Sequence, residues 1–411
     1  MNDQSDDTSA TPDGGASRET SLGVVVGAMG ATTTGILPVW LIGALAVQMR
    51  ADIGFTEFQL GIATSLFFGV SAITSIPASQ QVERFGWRRC ALTTAGLSSL
   101  ALLLIAAFAH TYAWLLVFVA LAALANALAQ PSANLGLARG IVPGRQGLAF
   151  GLKQSSIPLA TMLSGTAVPV IAVTLGWRWA FVTGASLGLA LLTLLRPGPR
   201  TPAAFRRSRT PLGGPGDAPV KVLVILAVAF GFGSAATNAM GTFIVSYAVE
   251  EGISPSAAGW LFAASSGTGL AVRILSGWLA DRRGRRHLVF CAALMLAGAV
   301  GMGTLAGAST APLITVGALL GFGLGWAWNG VFMYAVVKMN RGAPATATGV
   351  TMSAIFIGGT TGPLAFGAIV TNTSYTVAWS LAAAAMAVAA TFVLLGRYHL
   401  HRARRLEASA S

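Results

Sequence analysis

Carboxylates are scarce in this chain, and none falls inside an apolar stretch. Asp and Glu together number 13 of 411 residues. They lie in the N-terminal tail (Asp3 to Glu19), at the ends of apolar segments (Asp52, Glu57, Glu83, Glu250, Glu251 and Asp281), in the long linker (Asp217) or in the C-terminal tail (Glu407). The four histidines, His110, His287, His399 and His401, also sit at segment ends or in tails. No acid or imidazole is therefore placed to relay a proton at membrane depth. No metal-ligand cluster, nucleophile–base pair or phosphate loop is present, so the reading is not an enzyme and expects neither cofactor nor metal. The two cysteines, Cys90 and Cys291, fall near segment ends, and a structural disulfide is not expected.

Apolar residues dominate instead: 54% of the chain is hydrophobic and only 9% charged, against about 25% charged in soluble domains. Mean hydropathy is +0.70. Twelve apolar stretches can be marked near 23–47, 58–79, 90–109, 113–137, 147–173, 178–196, 220–247, 257–279, 288–308, 312–337, 347–371 and 375–396. Each is long enough to cross roughly 30 Å of hydrocarbon as a helix. Barrel strands are shorter and alternate in polarity. The expected fold is an all-α integral membrane protein of twelve transmembrane helices.

The basic residues set the orientation. They fall in alternate loops: Arg84, Arg88 and Arg89; Arg139 and Arg145; Arg196 to Lys221; Arg282 to Arg286; Lys338 and Arg341; and Arg397 to Arg405. The positive-inside rule then places those loops and both termini in the cytoplasm. The net charge of +13 is thus a topology signal, scattered among short loops rather than gathered on a nucleic-acid-binding face. Residues 1–21 read as a disordered cytoplasmic tail without a signal peptide.

The chain also repeats itself. Gly54 to Arg88 overlays Gly252 to Arg286 without a gap, at an offset of 198 residues, and the same offset pairs Gly151 with Gly349 and Ser155 with Ser353. A half-length repeat in an apolar chain is characteristic of secondary transporters. It divides the chain into a six-helix bundle at 22–196, a cytoplasmic linker at 197–219, a second bundle at 220–396 and a tail at 397–411. Small residues recur every four positions at Gly61, Ser65 and Gly69, at their repeat partners Gly259, Ala263 and Gly267, and at Gly317, Gly321 and Gly325. Such stripes let helix backbones approach closely in lipid, and here they offer smooth faces able to slide.

The loop after the eighth stretch reads Gly277-Trp-Leu-Ala-Asp281-Arg282-Arg-Gly284-Arg285-Arg286. It resembles the G-x-L-A-D-R-x-G-R-R motif of the major facilitator superfamily. A degraded first copy, Ser79-Gln-Gln-Val-Glu83-Arg84-Phe-Gly86-Trp-Arg88, lies 198 residues earlier. The resemblance covers the chain from about residue 22 to 396 and implies two pseudo-symmetric six-helix bundles working by alternating access. It further implies a cytoplasmic gate, with Glu83 facing the start of the eleventh span and Asp281 that of the fifth. A carboxylate near a helix N-terminus is stabilised by about 0.3–1 kcal/mol. The family's antiporter signature in the fifth span is a Gly-rich run, whereas this chain has Ser155-Ser-Ile-Pro158-Leu-Ala160.

Two cations lie within apolar stretches, Lys153 and Arg273. A buried cation needs water, a partner or an anion. With no acid inside the membrane, an anionic substrate is an attractive counter-ion. Alternatively, Lys153 can snorkel to the surface, about 9 Å away, and Arg273 can pair with the loops. Asn126, Gln130 and Asn134 share one helical face, as do Ser234, Asn238 and Thr242. The superfamily lines its cavity with spans one, four, seven and ten. The candidate substrate site is therefore Lys153, Gln154, Arg273, Trp40, Asn126, Gln130, Asn238, Trp326 and Asn329. Pro158, Gly358-Gly359 and Gly362-Pro363 weaken backbone ladders where neighbouring groups must satisfy freed carbonyls. The expected function is transport of a small organic anion such as a carboxylate, by a chain that forms its own pathway as a monomer in a bacterial inner membrane. The alternatives are efflux of amphipathic drugs and, more remotely, a transporter-like receptor.

Overall fold

The computed structural model describes residues 21–141, 146–195, 212, 214, 217–283 and 287–410. Within them the chain is helical from end to end. We number the spans α1 (Ser21–Ala44), α2 (Glu57–Phe85), α3 (Trp87–Phe108), α4 (Tyr112–Gly140), α5 (Gln146–Gln154 continued by Ser156–Ala167 to Leu175) and α6 (Trp177–Leu194). They are followed by α7 (Val220–Glu250), α8 (Pro255–Arg283), α9 (His287–Ala306), α10 (Ala311–Ala318 continued to Trp328–Met339), α11 (Pro344–Asn372) and α12 (Tyr375–Ala410).

Eleven of these helices are long and apolar enough to cross a membrane. The remaining one, α8, has 29 residues but is diluted by Ser256, Ser265, Ser266, Thr268 and Arg273. Large apolar side chains such as Ile73, Leu194 and Val300 stand on the outside, a surface that hydrocarbon solvates and water does not. The last helix runs past the expected boundary at 396 into the arginine-rich tail.

Local sequence sets the turns. Thr56 caps α2 by accepting the Gln59 N–H at 3.3 Å, while the Gln59 side chain accepts the Thr56 N–H at 2.8 Å. This reciprocal box satisfies two of the helix's orphan donors. Before it, Gly54 closes the extension of α1 at φ +75°, and its repeat partner Gly252 follows α7 at φ +85°. A side chain at either position would be strained, so the repeat preserves glycine for a backbone reason.

The halves meet along two long seams, α2 against α11 and α5 against α8, with α1 crossing α7 between them. The seams are built from equivalent contacts. A Cβ on Gly61 would lie 2.5 Å from the Pro363 carbonyl oxygen, and one on Gly259 would lie 2.8 Å from the Gly165 oxygen. Pro363 and Gly165 are themselves 198 residues apart. Likewise Gly69 faces Thr360 and Gly267 faces Met162, again a pair offset by 198. Exchanging the halves thus maps one seam onto the other, which is what a two-fold pseudo-axis requires. The third stripe serves a different purpose: Gly317, Gly321 and Gly325 of α10 pack on Gly298 and Gly301 of α9, inside one half.

Candidate functional site

Spans α5 and α10 do not run as uninterrupted α-helices. The first turns at Ser155 and carries a π-helical segment at Val168–Ala172. The second has a π segment at Leu319–Leu324, then a turn before Trp328. Such irregularities recur at functional sites and leave backbone groups open for other partners.

Six of the expected site residues form one connected chain beside these breaks. The Lys153 ammonium of α5 donates to the Gln130 side-chain oxygen of α4 and, at 3.4 Å, to Gln154 Oε1. Lys153 is only 2% exposed, so it points inward and does not snorkel. Arg273 of α8, in the other half, is likewise buried, and among the described residues its hydrogen bonds go to spans α5 and α10. Its Nη1 donates to the Gln154 backbone carbonyl at 2.9 Å and its Nη2 to the Trp326 carbonyl at 3.0 Å. The guanidinium also lies 5.7 Å from the Trp326 ring centroid, within cation–π range. That ring meets Trp40 of α1 edge to face, with centroids 5.2 Å apart, and Trp40 leans on Phe68 of α2. Two cations from opposite halves thus converge on one glutamine under an aromatic roof. Neither has a carboxylate partner among the described residues, so the site holds excess positive charge in a medium that penalises it.

The other candidates lie apart. Asn126 is buried and donates to Ser71 Oγ at 3.0 Å, leaving its own Oδ1 without a partner. Asn238 turns back on its own helix, to the Ser234 carbonyl at 2.8 Å and hydroxyl at 3.0 Å. Asn329 is half-buried and makes no hydrogen bond among the described residues.

Of the first gate motif, Gly86 joins α2 to α3 at φ +85°, where only glycine is unstrained. Arg84 and Arg88 lie over the neighbouring rings of Phe85 and Trp87. Glu83 is half-buried and makes no hydrogen bond or ion pair among the described residues. In the second copy, Gly277, Asp281 and Arg282 fall within α8, but their side chains, and all of Gly284, Arg285 and Arg286, lie outside the described residues.

A second polar cluster, absent from the expected list, closes the far end of the α2–α11 seam. Glu57, at the start of α2, pairs with Arg50 and accepts the Tyr375 hydroxyl of α12 at 2.9 Å. One residue on, the Phe58 N–H, an orphan donor of the first helical turn, is taken by Thr371 Oγ1 at 3.1 Å. The capping sequence Thr56-Glu-Phe-Gln59 announces the helix start, but its partners lie more than 300 residues away, where no local pattern points.

Comparison with known proteins fits this geometry. The sequence profile of the Major Facilitator Superfamily matches residues 21–363 and 223–410. The chain belongs to that superfamily and is a membrane transporter. A probable nitrate/nitrite transporter from Mycobacterium tuberculosis is 27% identical over 89% of this chain and 94% of its own length. A chloramphenicol resistance protein from Streptomyces lividans is 29% identical over 84% and 86%. Among solved structures, a bacterial homologue of the human lysosomal transporter Spinster, inward-facing and unoccupied, superposes with a TM-score of 0.67. It does so at 15% identity, covering 94% of this chain and 97% of the other. This last likeness is one of fold alone.

Proposed function

We propose that this transporter carries a small anion with delocalised charge, a carboxylate or similar oxyanion, by alternating access about the Lys153–Gln154–Arg273 site. One observation carries the reading: a buried cation from each half meets the same half-buried glutamine, with no acid among the described residues to neutralise either. An anion held between them relieves the cost of burying both charges, and it does so by touching both halves at once. Gln130 and Gln154 add hydrogen-bonding groups at its edge, while Trp40 and Trp326 exclude water from one side. Asn126, Asn238 and Asn329 line the same path in other conformations of the carrier. The nitrate/nitrite relative is named for a substrate of this kind.

Residues 22–196 and 220–396 act as the two moving bodies. The arginine-rich loops and both termini face the cytoplasm of a bacterial plasma membrane, and Glu83 and Asp281 latch the cytoplasmic side when it closes. The aromatic pair Trp40 and Trp326, together with the chloramphenicol resistance relative, favours a second reading, export of an amphipathic compound.

Purified protein in liposomes separates the two. Labelled acetate, formate and nitrate should be taken up, and chloramphenicol and cationic dyes should not. Lys153→Ala should lower anion uptake at least about tenfold, the equivalent of roughly 1.4 kcal/mol. Anion uptake unchanged in Lys153→Ala would remove the substrate argument while leaving the fold intact.

A further inference from the structure

Proline 158 has no N–H. In a regular α-helix the N–H of residue 158 would close on the carbonyl of residue 154, so the sequence itself leaves the Gln154 carbonyl open. The ladder resumes on either side: Ser155 N–H reaches the Gly151 and Leu152 carbonyls, and Leu159 N–H reaches the Ser155 carbonyl at 3.1 Å. Pro158 and Ser155 are both buried, so water is poorly placed to replace the missing donor. An open carbonyl in that setting is destabilising unless another group reaches it. The group that does so comes from the other half of the molecule: Arg273 Nη1, at 2.9 Å.

The second arm of the same guanidinium takes the Trp326 carbonyl, at 3.0 Å, in the turn that interrupts α10. A planar fork with several fixed donors can hold two carbonyls at once, whereas a lysine ammonium at the end of a flexible stem would fix neither direction. One side chain therefore bridges the irregular span of the N-terminal half and that of the C-terminal half.

We infer that Pro158 is a positioning residue for Arg273: by withholding its N–H it reserves the Gln154 carbonyl as the acceptor of a guanidinium clasp between the halves. The acceptors are neutral, so the clasp fixes Arg273 without neutralising it, and the full charge stays available beside Lys153. The ligand-binding consequence rests on the anion reading above; the clasp itself does not. Pro158→Ala supplies an N–H that competes for the Gln154 carbonyl, and Arg273 loses one of its two anchors.

A double-mutant cycle tests the clasp without any ligand. In the natural background, Arg273→Gln strands the Gln154 carbonyl and should lower the thermal unfolding midpoint in detergent. In the Pro158→Ala background the helix satisfies that carbonyl, and the same replacement should lower the midpoint by less than half as much. Equal losses in the two backgrounds would overturn the clasp. Should Arg273→Gln fail to fold, Arg273→Lys, which reaches only one carbonyl, takes its place in the cycle under the same criterion. The positioning role is read from transport in liposomes: Pro158→Ala should raise KM for labelled acetate, formate or nitrate about five- to tenfold, around 1–1.4 kcal/mol, with the maximal rate kept within about twofold. An unchanged KM overturns that role. If the natural protein takes up none of the three anions, the carrier reading above is what fails, and the unfolding cycle alone decides the clasp.

Discussion

The two seams that join the halves share a skeleton and differ in chemistry. Gly61 against Pro363 and Gly259 against Gly165 are the same contact seen from opposite sides of the pseudo-axis, as are Gly69 against Thr360 and Gly267 against Met162. Yet α2 carries its charged cluster at the end nearest Glu57, where Tyr375 and Thr371 reach across from the other half. The α5–α8 seam instead carries its charge further along, where Lys153 and Arg273 meet at a broken helix. Duplication therefore supplied the backbone spacing, and later divergence distributed the ionic groups. One seam ends in an ion pair and hydrogen bonds from the other half, and the other holds two buried cations without a carboxylate partner among the described residues. Close backbone approach is a steric requirement both seams must meet; charge placement is not, so it was free to become asymmetric.

The comparison can be broken most severely at the glycines. Gly61→Val places a Cβ 2.5 Å from the Pro363 carbonyl oxygen, and Gly259→Val meets Val168, Pro169 and the Gly165 carbonyl at 2.6–2.8 Å. Backbone cannot move aside as a flexible side chain does, so each change should cut transport by at least about tenfold, overpacking costing roughly 1–3 kcal/mol. The two losses should be of similar size, and a strong inequality in liposome flux would show that the seams are not mechanically equivalent. A smaller effect is expected at Tyr375→Phe, which removes the Glu57 hydrogen bond but keeps the ring. A hydrogen bond to a charged group contributes about 1.5–3 kcal/mol. Its loss should raise the reactivity of a cysteine placed at Ser246, buried near Arg50 and Glu250, toward a membrane-impermeant thiol reagent several-fold. No change in labelling would deny the cluster a closing role. The smallest effect should come from Glu83→Gln. Glu83 has no partner among the described residues, so the unfolding midpoint should stay within about a degree of the natural protein. A loss of several degrees would reveal a bond this conformation does not show.

Much of the architecture was legible because it rests on local and periodic features. Span positions follow from the lengths of apolar runs, and every expected stretch overlaps a helix of the structure. The eighth is the instructive one: its serines, glycines and Arg273 lower its apolarity because that helix faces α5 rather than lipid along much of its length. The stripes Gly61-Ser65-Gly69 and Gly259-Ala263-Gly267 were legible as packing surfaces, but periodicity could not say that they join the two halves while Gly317, Gly321 and Gly325 serve a single one. Lys153 and Arg273 stood out as charges in apolar runs. Their meeting at Gln154 did not, because residues 119 positions apart in different helices carry no shared pattern. The Glu57–Tyr375 contact was hidden for the same reason: each residue, read alone, is an ordinary helix end.

The sequence by itself determined the solvent of this protein, the number and order of its spans, its division into repeats and the residues whose charge is costly in a membrane. These are consequences of composition, run length and spacing, which are fixed along the chain. Only the tertiary structure decided which carbonyl Arg273 satisfies, which face of each glycine stripe meets the other half and which amides stay on their own helix. Those choices depend on distances between segments far apart in the chain, and in lipid they are settled by how closely backbones can approach and by which buried polar group finds a partner.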